Sequence, residues 1–280
     1  MPDESAASAE ETGTWPYWTE PTVIEVDGTP VSYRRRGAGR PLLYLHGAHL
    51  TRAWLPVHEA LAAGADVVAP EHPGFGDTPR ARHIRSFGDL VLHYDALLRA
   101  LAVEGADLVG QGHGAWLAAQ LAITYPERFR SLTLITPFGL RLESVESVDI
   151  FRLTDEEESR AVLNERAEEL SPALRREPFP DGAVRQFEER TALALLAWNP
   201  RYDWRFDHLL ARVRIPTLIV GVDDDRYGSN GQVDRYAELI PGSRVERIPG
   251  EPGKPSSHLI QLEAPDAVAR LVLDHVSQAG

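Results

Sequence analysis

Five short apolar runs set the fold class of this chain more than any other feature: PLLYLHG (41–47), DVVAP (66–70), DLVG (107–110), SLTLITP (131–137) and PTLIVG (216–221). Each is almost continuously apolar rather than alternating, which suits strands covered on both faces, as in a parallel sheet. Helical patterns at 87–102, 114–125, 230–240 and 264–277 lie between and after them. Strands that alternate with helices imply right-handed crossovers and a doubly wound α/β sheet. Ahead of the first run, TVIEV (22–26) and VSYRR (31–35) flank Asp27-Gly28, a signal for a tight antiparallel hairpin.

One stretch breaks the alternation. Residues 138–208 carry no convincing strand; TDEEESRAVLNERAEEL (154–170) reads as a solvated helix, and LLAWNPRYDWRF (195–206) is rich in aromatics. The expected organisation is an α/β core of residues 20–137 and 209–280, with 138–208 inserted as a helical cap. Ligands of open α/β sheets bind at the carboxyl ends of the strands, so an insertion there is expected to shape a pocket. Residues 1–19 are expected to be an acidic tail, disordered over 1–14, with Trp15, Pro16, Tyr17 and Trp18 marking where the chain docks.

Composition excludes several chemistries. The chain has no cysteine, so thiol nucleophiles, cysteine zinc sites and iron–sulfur clusters are out. Its one lysine, Lys254, stands between Gly253 and Pro255 in a turn-like segment, a poor place for a Schiff base. With 29 Lys+Arg against 42 Asp+Glu the formal charge is −13, and no basic stripe offsets it, which argues against nucleic acid and anionic membranes. No apolar run is long enough for a membrane span, and the acidic N-terminus lacks the basic start of a secretory signal, so a cytoplasmic protein is expected. The 280 residues can bury a large core without staples, as a monomer or a homodimer.

Four local patterns follow one another in order. Leu45-His46-Gly47-Ala48 ends an apolar strand. PEHPGFGDT spans 70–78. Gly110-Gln111-Gly112-His113-Gly114 is a glycine-rich corner between a strand and a helix. Gly221-Val222-Asp223-Asp224 follows the strand at 216–221, and His258 comes about 34 residues later. In this order and spacing the chain resembles the α/β-hydrolase superfamily from about residue 22 to 277, in particular its cap-bearing carbon–carbon-bond and ester hydrolases. The resemblance implies an α/β-hydrolase fold, a doubly wound and mostly parallel sheet with a helical cap insertion. It matches Gly110–Gly114 to the nucleophile elbow, Asp224 to the acid and His258 to the base. It also implies an oxyanion hole from the backbone N–H groups of Ala48 and His113. A tight strand-to-helix turn needs small residues at its outer positions, which the glycines supply.

The departure lies at the centre of the elbow. Gly112 stands where the family has a nucleophile, and no serine occurs between Ser86 and Ser131 to replace it by a register shift. Three readings stay open. His258 with Asp224 and the oxyanion hole could act without an acyl-enzyme, by lyase, decarboxylation, cyclisation or direct water attack on a small carbonyl compound. The chain could instead be an ester or carbon–carbon hydrolase inactivated at position 112, since glycine occupies a strained elbow cheaply. It could also be a binding protein without chemistry, although binding alone does not call for an Asp–His pair. His113, next to the elbow, is a candidate second acid or base.

Candidate substrate contacts are His46, Gly47, Trp54, Phe138, Arg141, Trp198 and Trp204, with Arg141 able to clamp a carboxylate. Gly110-x-Gly112-x-x-Ala115 also fits the dinucleotide fingerprint, but it lies mid-chain and the next strand ends in Thr136-Pro137 without an acidic residue. His46 and His49 have no carboxylate at ligand spacing, so no metal is expected. The expectation is an enzyme that needs no cofactor and acts on a small-molecule substrate.

Overall fold

The structure, a computed structural model, describes residues 17–142, 148–174, 181–198, 205–228 and 230–279. Trp15, Pro16 and Trp204 lie outside them. Eight strands form one sheet in the order β1-β2-β4-β3-β5-β6-β7-β8. β1 (Thr22–Val26) and β2 (Thr29–Arg36) form the hairpin at Asp27-Gly28, with positive φ of 49° and 76° at the two central residues, the backbone that short hairpins favour. β2 runs antiparallel to β4 (Asp66–Pro70), and every later pairing is parallel: β3 (Pro41–Leu45), β5 (Ala106–Gln111), β6 (Phe129–Ile135), β7 (Thr217–Val222) and β8 (Arg244–Ile248).

β8 has no counterpart among the apolar runs. It is an edge strand in which only Ile248 is buried, so RVERI carries no continuous hydrophobic signal.

Helices cover both faces. α1 (Pro56–Ala62) packs against α10 (Pro265–Gln278) on one face, where Val57, Leu61, Val268 and Val272 meet Leu42, Val67 and Val220. On the other face lie α2 (Phe87–Ala100), α3 (His113–Thr124) and α8 (Asn230–Leu239), with Leu97, Leu117 and Tyr236 against Leu43, Leu108 and Ile219. Ser86 caps α2 by accepting the Asp89 amide.

The chain leaves β3 through α1 to reach β4 on one side, and returns through α2 to β5 on the other. The connections therefore diverge at the carboxyl ends of β3 and β5, the switch point where doubly wound sheets open a crevice. Leu45 and Gly110 are register partners there, so the residues after each strand emerge side by side.

Between β6 and β7 the described residues contain no strand. They form α4 (Asp155–Leu163), α5 (Ala167–Leu170), α6 (Asp181–Ala197) and α7 (Phe206–Leu210). The expected helix over 154–170 starts with a capping box between Thr154 and Glu157 but breaks at Asn164, whose φ is +50°. The break has a use: the Asn164 side-chain amide donates to the Asp224 carbonyl at 2.7 Å. Ile150, Val162, Leu163, Ala192 and Leu193 of the insertion pack with Phe75, Tyr227, Leu259 and Leu262 from the loops of the sheet. A short helix, α9 (Ile260–Glu263), precedes α10.

At the other end, Tyr17 and Trp18 dock against the segment before α1: the Trp54 amide donates to the Tyr17 carbonyl, and Trp18 bridges Ala53. No helix of the described residues is long and apolar enough to cross a membrane.

Candidate active site

The elbow between β5 and α3 is built by close approach. A Cβ on Gly114 would land on the carbonyl oxygens of Leu45 and His46, and one on Gly110 would land on the Gly114 carbonyl. Only glycine lets α3 pack this tightly behind β3. Gly112 caps α3 with φ +57° and ψ −117°. Its carbonyl accepts the amides of Ala115 and Phe138 at 3.1 and 3.2 Å, and its amide donates to Ile135. A Cβ built on Gly112 would stand 3.1 Å from Nε2 of His258 and 3.8 Å from the Gly47 Cα. The structure thus brings Gly47, Gly112 and His258 together.

The carboxylate beside His258 is Asp225, not Asp224. Nδ1 of His258 lies 2.9 and 3.1 Å from the two carboxylate oxygens of Asp225, and both side chains are 2% exposed. Asp225 also accepts the Tyr227 and Gly228 amides at 3.1 and 2.6 Å. Asp224 turns outward and accepts from Arg226 at 2.7 Å, both half-exposed. The three consecutive aspartates 223–225 look alike in sequence, and the turn geometry decides among them. Asp223 takes the Gly250 amide at 2.6 Å, and the Asp223 and Asp224 amides are held by the hydroxyl and carbonyl of Ser256. That pairing leaves the third position facing inward.

Because Asp225 can only accept when ionised, Nδ1 of His258 carries the hydrogen and Nε2 is left to face Gly112. The backbone of His258 is fixed as firmly as its ring. Its carbonyl accepts from Thr136 Oγ1 at 2.9 Å and from Gln111 Nε2 at 3.3 Å. On either side of it, the Leu259 amide and the Ser257 hydroxyl both donate to the Val162 carbonyl of α4, at 3.1 and 2.8 Å. Gln111 ends β5 and Thr136 directly follows β6; sequence reading put Gln111 in the glycine-rich corner and Thr136 at a strand end, without assigning either a task.

His46 supports the loop after β3. Its Nε2 accepts the His72 amide at 3.0 Å, so its Nδ1 carries the hydrogen and donates to the Gly47 carbonyl at 2.7 Å. In a trans peptide the Ala48 N–H points opposite to that carbonyl. His72 continues the network, with Nε2 against the His46 carbonyl and Nδ1 against the Tyr94 hydroxyl at 2.6 Å. Burial pushes the His46 imidazole down to about 4, so the ring is neutral at pH 7. His46 therefore holds the loop from behind, one residue removed from Gly112.

Around His258 stand His113, Phe138 and Tyr227. The His113 ring stacks on Phe138 at 4.5 Å, and Tyr227 lies 4.8 Å from the His258 ring and 6.0 Å from Phe138. Burial first, then the nearby His258, drives His113 down to about 3; it is a neutral imidazole across the ordinary pH range, which rules against an imidazolium acid. Farther out, His49 meets Glu158 of α4 at 3.1 Å, and Arg190 of α6 meets the same carboxylate at 3.1 Å. Tyr227 and Glu158 were not singled out from the sequence, since nothing local marks a tyrosine or a glutamate of a charged helix as inward-facing.

Two of the expected contacts lie elsewhere. Trp54 packs on the α1/α10 face, donating to Glu59 at 2.6 Å with the Arg36 guanidinium 5.0 Å above its ring. Trp198 follows α6 and is 54% exposed. Arg141 is exposed, three residues past Phe138. Among the described residues no group of three or more ligating side chains could hold a metal.

The family model described as the alpha/beta hydrolase family matches residues 42–271. A 2-hydroxy-6-oxo-2,4-heptadienoate hydrolase of Pseudomonas putida is 28% identical over 256 residues, 86% of this chain and 90% of that protein. A 2-hydroxymuconate semialdehyde hydrolase of a Pseudomonas species is 37% identical over 118 residues, a match spanning 40% of this chain and 42% of that protein. Among solved structures, a meta-cleavage product hydrolase from Pseudomonas fluorescens superposes with a TM-score of 0.72 at 23% identity, covering 92% of this chain and 98% of the other, a likeness of fold. The family match runs from β3 into α10, through the elbow, Asp225 and His258; the chain belongs to the alpha/beta hydrolase family.

Proposed function

We propose that this protein is an enzyme acting on a small carbonyl compound without an acyl-enzyme, with His258 as general base and Asp225 as its orienting carboxylate. One observation carries the reading. The Asp225–His258 pair is buried and hydrogen-bonded, yet Nε2 stands only 3.1 Å from where a Cβ on residue 112 would lie. That is tighter than nine in ten real Cβ contacts, so the ring sits where it would crowd a nucleophile-bearing side chain. A few tenths of an ångström of ring movement would admit a Cβ there, and the closeness supports the reading that the Asp225–His258 pair works beside glycine.

His258 would take a proton from water or from a carbon next to the carbonyl, and the Ala48 and His113 amides would receive the oxygen that gains charge. General-base catalysis of this kind contributes about 10²–10⁴-fold, and an oxyanion donor about 10²–10³-fold. Residues 138–208, as a cap, would cover the reacting centre. By their names, the two relatives above hydrolyse compounds with a hydroxy, oxo or aldehyde function, which supports a carbonyl substrate. No metal or cofactor is needed for these steps.

The test is turnover of activated esters by this chain and by Gly112→Ser, followed at early times. The proposal expects no burst from either protein. A stoichiometric burst from Gly112→Ser would overturn it and favour a serine hydrolase that has lost its nucleophile.

A further inference from the structure

We infer that Tyr227 and His113 form a subsite for a second, uncharged oxygen function of the substrate, so that the ligand is a neutral 1,3-dicarbonyl compound held as its planar enol. The inference rests on the reading of Gly112 and His258 as the reacting centre.

Both side chains are more than nine-tenths buried, Tyr227 at 2% and His113 at 5% exposure. Among the described residues neither the Tyr227 hydroxyl nor either ring nitrogen of His113 has a hydrogen-bond partner. Buried polar groups left unpaired cost about 1–3 kcal/mol each, and a ligand that pairs them recovers that cost. These two groups flank His258. Tyr227 touches its ring, and His113 follows Gly112 directly and shares Phe138 with Tyr227.

The chemistry of the ligand follows from the donors and the field. A neutral imidazole offers one N–H and one lone-pair nitrogen, and the phenol can give and accept. Together they match a group with both a hydroxyl and a carbonyl oxygen, which an enolised 1,3-dicarbonyl presents. The rings of Phe138, Tyr227 and His113 lie against one another and suit stacking on a flat, conjugated ligand. A carboxylate fits poorly. Tyr227 titrates well above its ordinary range, first because of burial and then because of the charge of Glu158, with Asp225 adding to it. Arg190, a cation that acts on Tyr227, is already paired with Glu158.

The experiment uses three probes of similar size with the full chain: pentane-2,4-dione, the mono-ketone pentan-2-one and the charged acetoacetate. Binding is read by calorimetry and by the ultraviolet band of the enol. Pentane-2,4-dione is expected to saturate the protein at least tenfold more tightly than either comparator. Tyr227→Phe is expected to erase that advantage while leaving the unfolding midpoint unchanged or raised, because its hydroxyl holds nothing in the free protein. His113→Phe is expected to weaken pentane-2,4-dione in the same way. Equal affinity for all three probes, no saturable binding of the dione, or a Tyr227→Phe variant that keeps the preference would each overturn the subsite. A dione that binds as expected while Gly112→Ser gives an acyl-enzyme burst would leave the subsite standing and sink the non-acyl mechanism.

Discussion

Replacing Asp225 by alanine probes the register of the acid directly, and the structure gives its size. The carboxylate is 2% exposed and accepts three donors: Nδ1 of His258 and the amides of Tyr227 and Gly228. Its removal leaves all three buried and unpaired. Losing one side of a buried, hydrogen-bonded pair costs about 3–5 kcal/mol, with water entering the cavity to soften the sum of the separate bonds. Asp224→Ala breaks only a pair whose side chains are 40% and 43% exposed, which is worth about 1 kcal/mol or less. The contacts that hold the Asp224 backbone, from Asn164 and to Ser256, survive the substitution. Urea unfolding at pH 7.5 reads both values, and the Asp225 variant is expected to melt on the order of 10 °C lower. Long-range nitrogen–proton NMR of the imidazoles gives a second reading: the Nδ1–H form of His258 persists in Asp224→Ala and is lost in Asp225→Ala. An Asp224 variant as damaged as the Asp225 variant, or a His258 tautomer indifferent to Asp225, would refute the assignment.

Three further outcomes follow from the same contacts. Gly112→Ala is expected to cost about 1–3 kcal/mol, because an alanine at φ +57° is strained and its Cβ presses on His258; Gly114→Ala is expected to cost more, since its Cβ meets two carbonyl oxygens of β3 and its loop, and comparison of the two melts decides this. Burial lowers His46 and His93 to about 4 and His58 and His113 to about 3, so below pH 6.5 the unfolded chain binds protons that the folded chain refuses; stability therefore falls as pH descends from 6.5 towards 4, by about 2 kcal/mol per imidazole at pH 5. His93→Leu should remove one such share, so urea curves at pH 7.5 and 5 that change equally in the variant and the parent would count against the reasoning. Asn164→Ala loses the bond to the Asp224 carbonyl and places alanine at φ +50°, an expected loss of about 1–2 kcal/mol in thermal unfolding.

The parallel strands were legible because they are buried on both faces and therefore continuously apolar, and the run at 66–70 coincides with β4 residue for residue; β1, largely exposed, was placed at 22–26 by its hairpin turn. The runs at 41–47 and 131–137 overshoot their strands by two residues each. His46-Gly47 and Thr136-Pro137 are loop residues whose apolar neighbours hide the turn, and Thr136 takes a φ of +39° that no local pattern announces. β8 was hidden because an edge strand needs little apolar sequence. That the turn at 110–114 and His258 come together was legible because glycine spacing and chain order carry it. The choice of Asp225 over Asp224 was not, because it turns on which of three aspartates the Ser256 and Gly250 contacts leave pointing inward. Tyr227 reaches the site through the turn that carries Asp225, and Glu158 through the packing of α4 over the loops, neither with a local signature.

The Val162 carbonyl, which receives hydrogen bonds from both neighbours of His258, ties two parts of the molecule that are often thought of as interchangeable. An insertion above an α/β sheet looks like a module, free to be exchanged for a new specificity while the machinery below stays put. Here the segment that carries His258, the proposed general base, is stapled to the end of α4, so the proposed machinery is not below the module but partly made by it. Grafting another insertion onto this sheet would import a new substrate chamber and at the same stroke remove the anchor of its own histidine. Local opening of the insertion and loss of His258 alignment then become one event, and amides on the two sides should exchange with solvent as a single cooperative unit. For this chain, changing what is recognised and changing how the base is held are the same evolutionary step.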